Sequence, residues 1–492
     1  MISLGIDIGG TGCKCVAFRE DGTQLALSYK EYPNFSGKKN LDAEILRDSV
    51  FFVTENCVKE LTDPSEVAAI TVASFGESFV PVAKSGKPLT DIILYFANTE
   101  STDFDAVVEK IGGEKIMEVT RVLPDASYSL SKMLYTEKTV AEPVWKYLFV
   151  AAYMSFCFSG EAVCDESLAC RSLLYDVKNH CWSKELAEAA GVKPEQLPEV
   201  KVAGSVVGKL LPEVAKQLGL SENVKIVSGC HDQIVNALGA GVCAPGEAVD
   251  TTGTVECITP LFAEMPGMNF VENNFACVPY LDDLGYVTYA YNVSGGAVVK
   301  WYRDALAAHL RQQAAEEGCS IYDLLNRICP AEPTKLLVLP FFQGMGGTPE
   351  VDPNATGLIA GLTTGTTLPE IYRAILEGLC FEMQYNLEKL GEGKVNPTRL
   401  YACGGGARSK VWLQIKADVW GREIVPVETE ETGALGSAIL GFAAVTEAES
   451  ICKLAKKFVR HGQAVQPNAE RHAYYQKQYE TYKKYREFAK TI

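Results

Sequence analysis

The sequence predicts a mixed α/β protein made of two similar domains. Three observations predict it: the chain is too long for one core, its N-terminal elements mix strands with a helix, and one glycine turn recurs near the middle. Single cores stop growing at roughly 250–300 residues, and this chain has 492.

Ile2–Ile8 is apolar and β-rich, the glycine turn Gly9-Gly10-Thr11-Gly12 follows, and Cys13–Phe18 alternates as a second strand. Asp21-Gly22 signals a hairpin into a third strand, Gln24–Tyr29. Leu41–Leu61 has helical periodicity, and Val67–Ala73 reads as a short buried strand. The order β-β-β-α-β differs from a simple Rossmann alternation. In the second half Ala248–Thr252 enters a turn at Gly253, and Thr254–Thr259 leaves it as a strand. Asp7-Ile8-Gly9-Gly10-Thr11 and Asp250-Thr251-Thr252-Gly253-Thr254 share the pattern Asp-x-x-Gly-Thr at the head of each half, which points to an internal duplication. The hinge signal Pro245-Gly246 puts the boundary near residue 244, dividing the chain into 1–243 and 244–492.

Composition narrows the function. Apolar residues make up 47% of the chain, too many for disorder. The net charge of −16, with no basic stripe, argues against nucleic acid as a partner. The basic tail (Lys477, Lys483, Lys484, Arg486, Lys490) alternates with Glu480 and Glu487 and reads as a helix with a solvated face. Neither a signal peptide nor an apolar run of roughly 18 residues is present, so a cytoplasmic protein off the membrane is expected. The 16 cysteines include no Cys-x-x-Cys pair, and with five histidines they form no zinc spacing. They read as reduced thiols serving as small hydrophobes.

The two glycine turns suit phosphate. Glycine lets backbone N–H groups approach an anion, and threonine hydroxyls add donors. Facing each other across a cleft between the domains, the turns would clasp it from two sides. Lys14 is a candidate phosphate contact for the first loop, and Asp7 a candidate carboxylate for Mg²⁺, through water. A plain hairpin turn is the competing reading of either loop alone. Neither a Walker A pattern nor Gly-x-Gly-x-x-Gly occurs at these loops. A third cluster, Gly404-Gly405-Gly406-Ala407-Arg408-Ser409, follows a strand (Arg399–Ala402) and opens a helix (Val411–Val419), where a nucleotide can approach backbone.

The candidate base is Asp232. The strand Val224–Val227 runs through Ser228-Gly229-Cys230-His231-Asp232-Gln233 into a helix of small residues ending at Gly241. An aspartate there is either a helix N-cap or a general base toward a substrate hydroxyl, with Gln233 as a polar contact and His231 as packing or a further contact.

Taken together, these residues resemble the FGGY carbohydrate kinase family. Gly357-Leu358-Ile359-Ala360-Gly361-Leu362, then Glu370-Ile371 and Ala374-Ile375-Leu376-Glu377, matches the family signature. Gly404–Ser409 with Trp412, Gln414, Ala417 and Asp418 is similar to the adenosine region, as is Glu431–Ala438, and Gly229–Gln233 resembles the catalytic Gly-x-x-Asp-Gln stretch. The resemblance covers nearly the whole chain. It implies two actin-like (ribonuclease-H-like) domains with an inter-domain nucleotide cleft, the sugar held mainly by the first. It also implies ATP with Mg²⁺, and transfer of the γ-phosphate to a hydroxyl of a small sugar, ketose, polyol or sugar acid. A homodimer stays open. By this resemblance Gly10, Thr11 and Lys14 match the first phosphate segment, Thr254 the second with Gly253 beside it. Gly296 and Lys300 fall among nucleotide contacts, Gly405 and Ser409 match adenosine contacts, and Asp232 matches the base.

The acceptor segment departs from the pattern. Xylulokinases carry Gly-Gln-Met-His and glycerol kinases Arg-Glu where this chain has Gly76-Glu77-Ser78-Phe79. Glu77 keeps the carboxylate, but Gly76 lacks the arginine. The family's Trp-x-Asp-x-Arg falls on Leu94–Glu100, which has neither Trp nor Arg, leaving Asn98 as the candidate contact. An actin-like nucleotide-dependent switch and a sugar-binding pseudokinase without turnover are the competing functions on the same scaffold.

Overall fold

The computed structural model describes residues 1–33, 38–97, 102–446 and 450–490. The chain forms two compact units. The first comprises Met1–Cys243, Ala276–Val287 and Glu431–Val459, and the second Ala244–Phe275, Thr288–Glu430 and Arg460–Ile492.

The first unit opens with the antiparallel strands β1 (Ile2–Ile8), β2 (Gly12–Arg19) and β3 (Gln24–Glu31). α1 (Ala43–Lys59) follows, its N-cap Asp42 accepting from Glu44 N at 2.7 Å. β4 (Val67–Ser74) lies parallel to β1. Later come β5 (Val206–Lys209), β6 (Lys225–Val227) and α2 (Asp232–Ala240). The sheet order is β5-β6-β4-β1-β2-β3, with β6, β4 and β1 parallel.

The second unit repeats this plan. β7 (Glu247–Thr252), β8 (Glu256–Phe262) and β9 (Ala290–Asn292) pair antiparallel, and α3 (Gly295–Ala305) follows. β10 (Arg399–Cys403) lies parallel to β7, α4 (Lys410–Trp420) comes next, and β11 (Ile424–Pro426) is parallel to β10. The run β3-β2-β1-β4-β6 thus has its counterpart in β9-β8-β7-β10-β11. The likeness read from two Asp-x-x-Gly-Thr turns therefore extends to five strands in the same order. β8 starts two residues later than the sequence pattern predicts, because Gly253 N donates to Val255 O (2.9 Å) and holds Thr254 in the turn.

The helix α5 (Thr432–Thr446) returns the chain to the first unit. Successive side chains of a strand point to opposite faces. In β1 that puts Leu4, Ile6 and Ile8 on one face and the small Ser3 and Gly5, then Asp7, on the other. α5 lies on the small-residue face: a Cβ at Gly5 would strike the Ala434 carbonyl, and one at Gly441 would strike Ser3 Oγ. α5 and α2 approach equally closely, since a Cβ at Gly436 would overlap the Val235 carbonyl and one at Gly239 the Thr432 carbonyl. This seating fixes α2, whose first residue is Asp232.

The last helix, α6 (Ala469–Ala489), keeps the expected solvated face at Lys477, Lys484 and Lys490 and departs from it at Arg486. Arg486 is fully buried; it pairs with Glu382 at 3.1 Å and with Glu350, and lies 3.9 Å from the Tyr385 ring centroid. Alternation of charge along the segment concealed two carboxylates more than 100 residues upstream. All 16 cysteines are free thiols, most of them buried. Among the described residues no helix is long and apolar enough to cross a membrane.

Gly436→Val should drive a side chain into the Val235 carbonyl and destabilise the first unit by about 1–3 kcal/mol, the usual cost of overpacking. Thermal unfolding checks this, with a lowered transition expected.

Candidate active site

The parallel strands of the first unit end along one edge, where ligands of α/β sheets commonly bind. Phe75 N donates to Ile8 O and Ser74 N to Cys230 O, each at 3.3 Å, so the segments after β1, β4 and β6 are tied together. The last of these carries His231, Asp232 and Gln233. His231 caps α2: its Nδ1 accepts from Gln233 N at 3.3 Å. Asp232 is therefore not the cap, and the N-cap alternative falls to its neighbour. His231 N in turn donates to Ser167 Oγ (2.9 Å), and Ser167 Oγ to Asp165 (2.6 Å), which pins the turn from below.

Relieved of the cap, the Asp232 carboxyl keeps 30% of its side-chain surface, while its Oδ1 is buried without a hydrogen-bond partner among the described residues. Loss of hydration, with Asp7 and Glu77 nearby, pushes its pKa up to about 8, and hydrogen bonds from Gln233 offset this only in part. A carboxyl with that pKa has the proton affinity of a general base working near neutrality.

Glu77 faces the same edge with a left-handed backbone (φ 56°). Arg171 Nε donates to its Oε1 at 2.5 Å, a second nitrogen of that guanidinium contacts the same oxygen, and the guanidinium lies 4.8 Å from the Tyr128 ring centroid. Gly76 explains itself here. A Cβ would stand 2.8 Å from Arg171 Cγ and 2.9 Å from His231 Cδ2, so the space is already filled. The arginine missing beside Glu77 in sequence is matched by one arriving from 94 residues away. Burial lowers the Lys132 pKa to about 8, against the pull of Glu77 and Asp125. Tyr95 stands next to the glycine turn, its hydroxyl 3.3 Å from where a Gly10 Cβ would be. Burial raises its pKa, and Asp232 and Glu77 add to the shift. Asn98 lies outside the described residues.

Lys14 bridges Asp7 Oδ2 at 3.2 Å and Glu431 Oε2 at 2.7 Å. Burial works against its charge, but these two carboxylates hold its pKa above the ordinary lysine value. All three side chains stay partly open, at 29%, 18% and 22% exposure. Gly10 and Thr11 sit in the adjoining turn, closed by Gly9 N to Gly12 O at 2.9 Å.

In the second unit the Gly253–Thr254 turn is built onto the start of α3: Gly296 N donates to Gly253 O (2.9 Å) and Ala297 N to Thr254 O (3.1 Å). Lys300 is exposed one helical turn beyond Gly296. Gly404 and Gly405 are exposed on the turn leaving β10. Ser409 is not free for a ligand to the same degree, since its hydroxyl accepts from Trp412 N (3.2 Å) and donates to Asn326 (2.9 Å). Glu431–Ala438, aligned with the adenosine region by resemblance, belongs to the first unit, where Glu431 holds Lys14 and the following small residues seat α2. Arg171, Tyr128 and Tyr95 were not evident as site residues in sequence, and Glu431 was read only as part of the adenosine segment; a charged residue within a buried apolar stretch, as at Arg171, was the one available signal.

Comparison with known proteins identifies the family. Residues 2–239 match the N-terminal domain and residues 252–445 the C-terminal domain of the FGGY family of carbohydrate kinases. A gluconokinase of Bacillus subtilis is 28% identical over 458 residues, covering 91% of this chain and 88% of the relative. A xylulose kinase of the same organism is 24% identical over 492 residues, covering 98% and 95%. The crystal structure of ligand-bound xylulose kinase from Lactobacillus acidophilus superposes with a TM-score of 0.87 at 23% identity, over 99% of this chain and 98% of that one. The fold is thus that of two actin-like domains, and the switch and pseudokinase alternatives find no support among these relatives. The chain belongs to the FGGY family of carbohydrate kinases and is an ATP-dependent kinase of a sugar or polyol hydroxyl.

Proposed function

We propose that Asp232 is the general base of this kinase and that the first unit holds the acceptor, a small polyhydroxylated sugar, sugar acid or polyol. The observation that carries this is the carboxyl of Asp232: excluded from the helix cap by His231, short of hydration, and set beside Glu77. Glu77, held by Arg171, accepts from one acceptor hydroxyl, and Gln233 supplies a further polar contact. Gluconokinase and xylulose kinase relatives support an acceptor of this class.

Phosphoryl transfer asks for positioning and charge neutralisation more than covalent chemistry. The acceptor hydroxyl gives its proton to Asp232 as its oxygen attacks the γ-phosphorus, while the bond from that phosphorus to the β,γ-bridging oxygen breaks and ADP leaves with the electron pair. Backbone N–H groups at Gly10–Thr11 meet the phosphoryl oxygens, and Lys14, kept protonated by Asp7 and Glu431, offsets the charge that grows on them. Gly253, Thr254, Gly296, Lys300 and Gly405 are the second unit's candidate nucleotide contacts, with Ser409 holding the shape of the adenosine loop. Among the described residues no cluster of three or more His, Cys, Asp or Glu is arranged for a metal. Mg²⁺ needs only one or two carboxylates beside substrate phosphates, and the partly open Asp7 fits that demand. When bound, Mg²⁺ supplies further charge neutralisation at the phosphates. Free thiols and the use of ATP fit a cytoplasmic enzyme.

Asp232→Asn should lower kcat by at least about 10²-fold, the usual contribution of a general base. ADP release measured across ketoses, polyols and aldonates checks this, and near-wild-type phosphorylation by the variant contradicts it. With the base at about 8, kcat/KM for the acceptor should rise with pH up to that value and then level; a profile flat across the neutral range contradicts this.

The same shift has a stability consequence. The folded pKa lies above the unfolded value of roughly 3.9, so folding favours the protonated acid and ionisation costs stability as pH rises between the two. Asp232→Asn should therefore melt higher than wild type at pH about 8, with the gap closing as pH falls into the ordinary carboxylate range.

Arg171→Ala should raise KM for the acceptor about tenfold or more, since hydrogen bonds to charged groups contribute about 1.5–3 kcal/mol. KM for ATP should stay near the wild-type value in the same steady-state assays.

A further inference from the structure

Each Asp-x-x-Gly-Thr turn has its aspartate gripped by one lysine that also holds a glutamate. In the first unit the set is Asp7, Lys14 and Glu431, and it is partly open. In the second it is Asp250, Lys416 and Glu256, with side-chain exposures of 0%, 1% and 0%. Lys416 Nζ contacts Asp250 Oδ2, lies 2.7 Å from Glu256 Oε1, and donates to Thr252 Oγ1 at 2.6 Å. Its Nζ also lies 5.0 Å and 5.4 Å from the ring centroids of Trp412 and Trp420, between two aromatic residues of its own helix α4. A group sealed to this degree has no access to substrate, so its role differs from that of Lys14.

Removing such charges from water is expensive, and apolar residues of similar volume often serve stability as well. The geometry identifies what the charges do instead. Thr252 is the last residue of β7, directly before Gly253 and Thr254. A Cβ at Gly404 would stand 2.6 Å from Thr252 O, and one at Gly406 would stand 2.6 Å from Thr252 Cβ. Glu256 is the first residue of β8, and a Cβ at Gly295, the first residue of α3, would stand 2.7 Å from its backbone nitrogen. The two strand ends that flank the turn, the glycine loop after β10 and the start of α3 therefore all bear on residues held by one ammonium. Burial and Asp250 both raise the Glu256 pKa while Lys416 opposes them; Lys416 itself stays charged, because Asp250 and Glu256 outweigh the burial that opposes its charge.

We propose that Lys416 is a positioning residue for the nucleotide: held in place by Asp250 and Glu256, it sets the register of the Gly253–Thr254 turn against the Gly404–Gly406 loop through its hydrogen bond to Thr252. This rests on the reading of those loops as the nucleotide site.

The decisive variant is Thr252→Val, which keeps all three buried charges and cuts only the link from Lys416 Nζ to the strand end. Lys416→Met removes the ammonium and leaves two buried carboxylates without their counter-charge, so Thr252→Val carries the test. Thr254→Ala, within the turn, serves as the control. Steady-state KM for ATP and for the acceptor, with thermal unfolding alongside, gives the readout. Thr252→Val should raise KM for ATP about tenfold while KM for the acceptor and the melting temperature stay near wild type, a split that a purely structural residue does not produce. Unchanged KM for ATP in a folded Thr252→Val protein, with KM raised in Thr254→Ala, overturns the positioning role and leaves the nucleotide site standing. Unchanged KM for ATP in both variants overturns the site assignment itself. A lowered melting temperature with both KM values unchanged makes the cluster structural only, and also overturns the proposal.

Discussion

A carboxyl with one buried oxygen, set near two other carboxylates, governs the proposed acceptor site. Asp232 is held at a strand edge where hydration is poor and where Asp7 and Glu77 make its ionisation costlier. That raises its proton affinity into the range a base needs, at the expense of stability. The surrounding structure is arranged to tolerate this. His231 takes over the helix cap, Ser167 and Asp165 pin the turn, and α5, seated on β1 and α2 through small residues, prevents the helix from moving away.

Charge around the phosphate segments follows a second rule, one lysine between two carboxylates, used twice. Exposure separates the two uses. Lys14 remains within reach of solvent, as the proposed phosphate contact requires, whereas Lys416 is enclosed and can act only on the groups around it. Duplication of the strand order gave both units the same aspartate at the end of the same strand; the partners that complete each set come from different places in the chain.

That difference explains what could be read from sequence. The strands Ile2–Ile8 and Val67–Ser74, the glycine turns and the Asp232 junction were legible, because local alternation, turn residues and a short motif carry them. The Arg171–Glu77 pair, the Lys416–Asp250 pair and the burial of Arg486 were not, since each joins residues 94 or more apart and leaves no periodic trace. The missing arginine at Gly76 looked like a loss in sequence. In three dimensions the glycine is the space through which another arginine reaches the same glutamate. Of the two readings left open for Asp232, the cap falls away: aspartate is the stronger N-cap former, yet the imidazole one residue earlier fills that place.

The most direct measurement of this account is an infrared difference titration of wild type against Asp232→Asn, which isolates the protonation of that one carboxyl. The account predicts a carboxylic acid band lost in the variant and titrating near pH about 8. A band that titrates in the ordinary carboxylate range, at roughly 4, contradicts it.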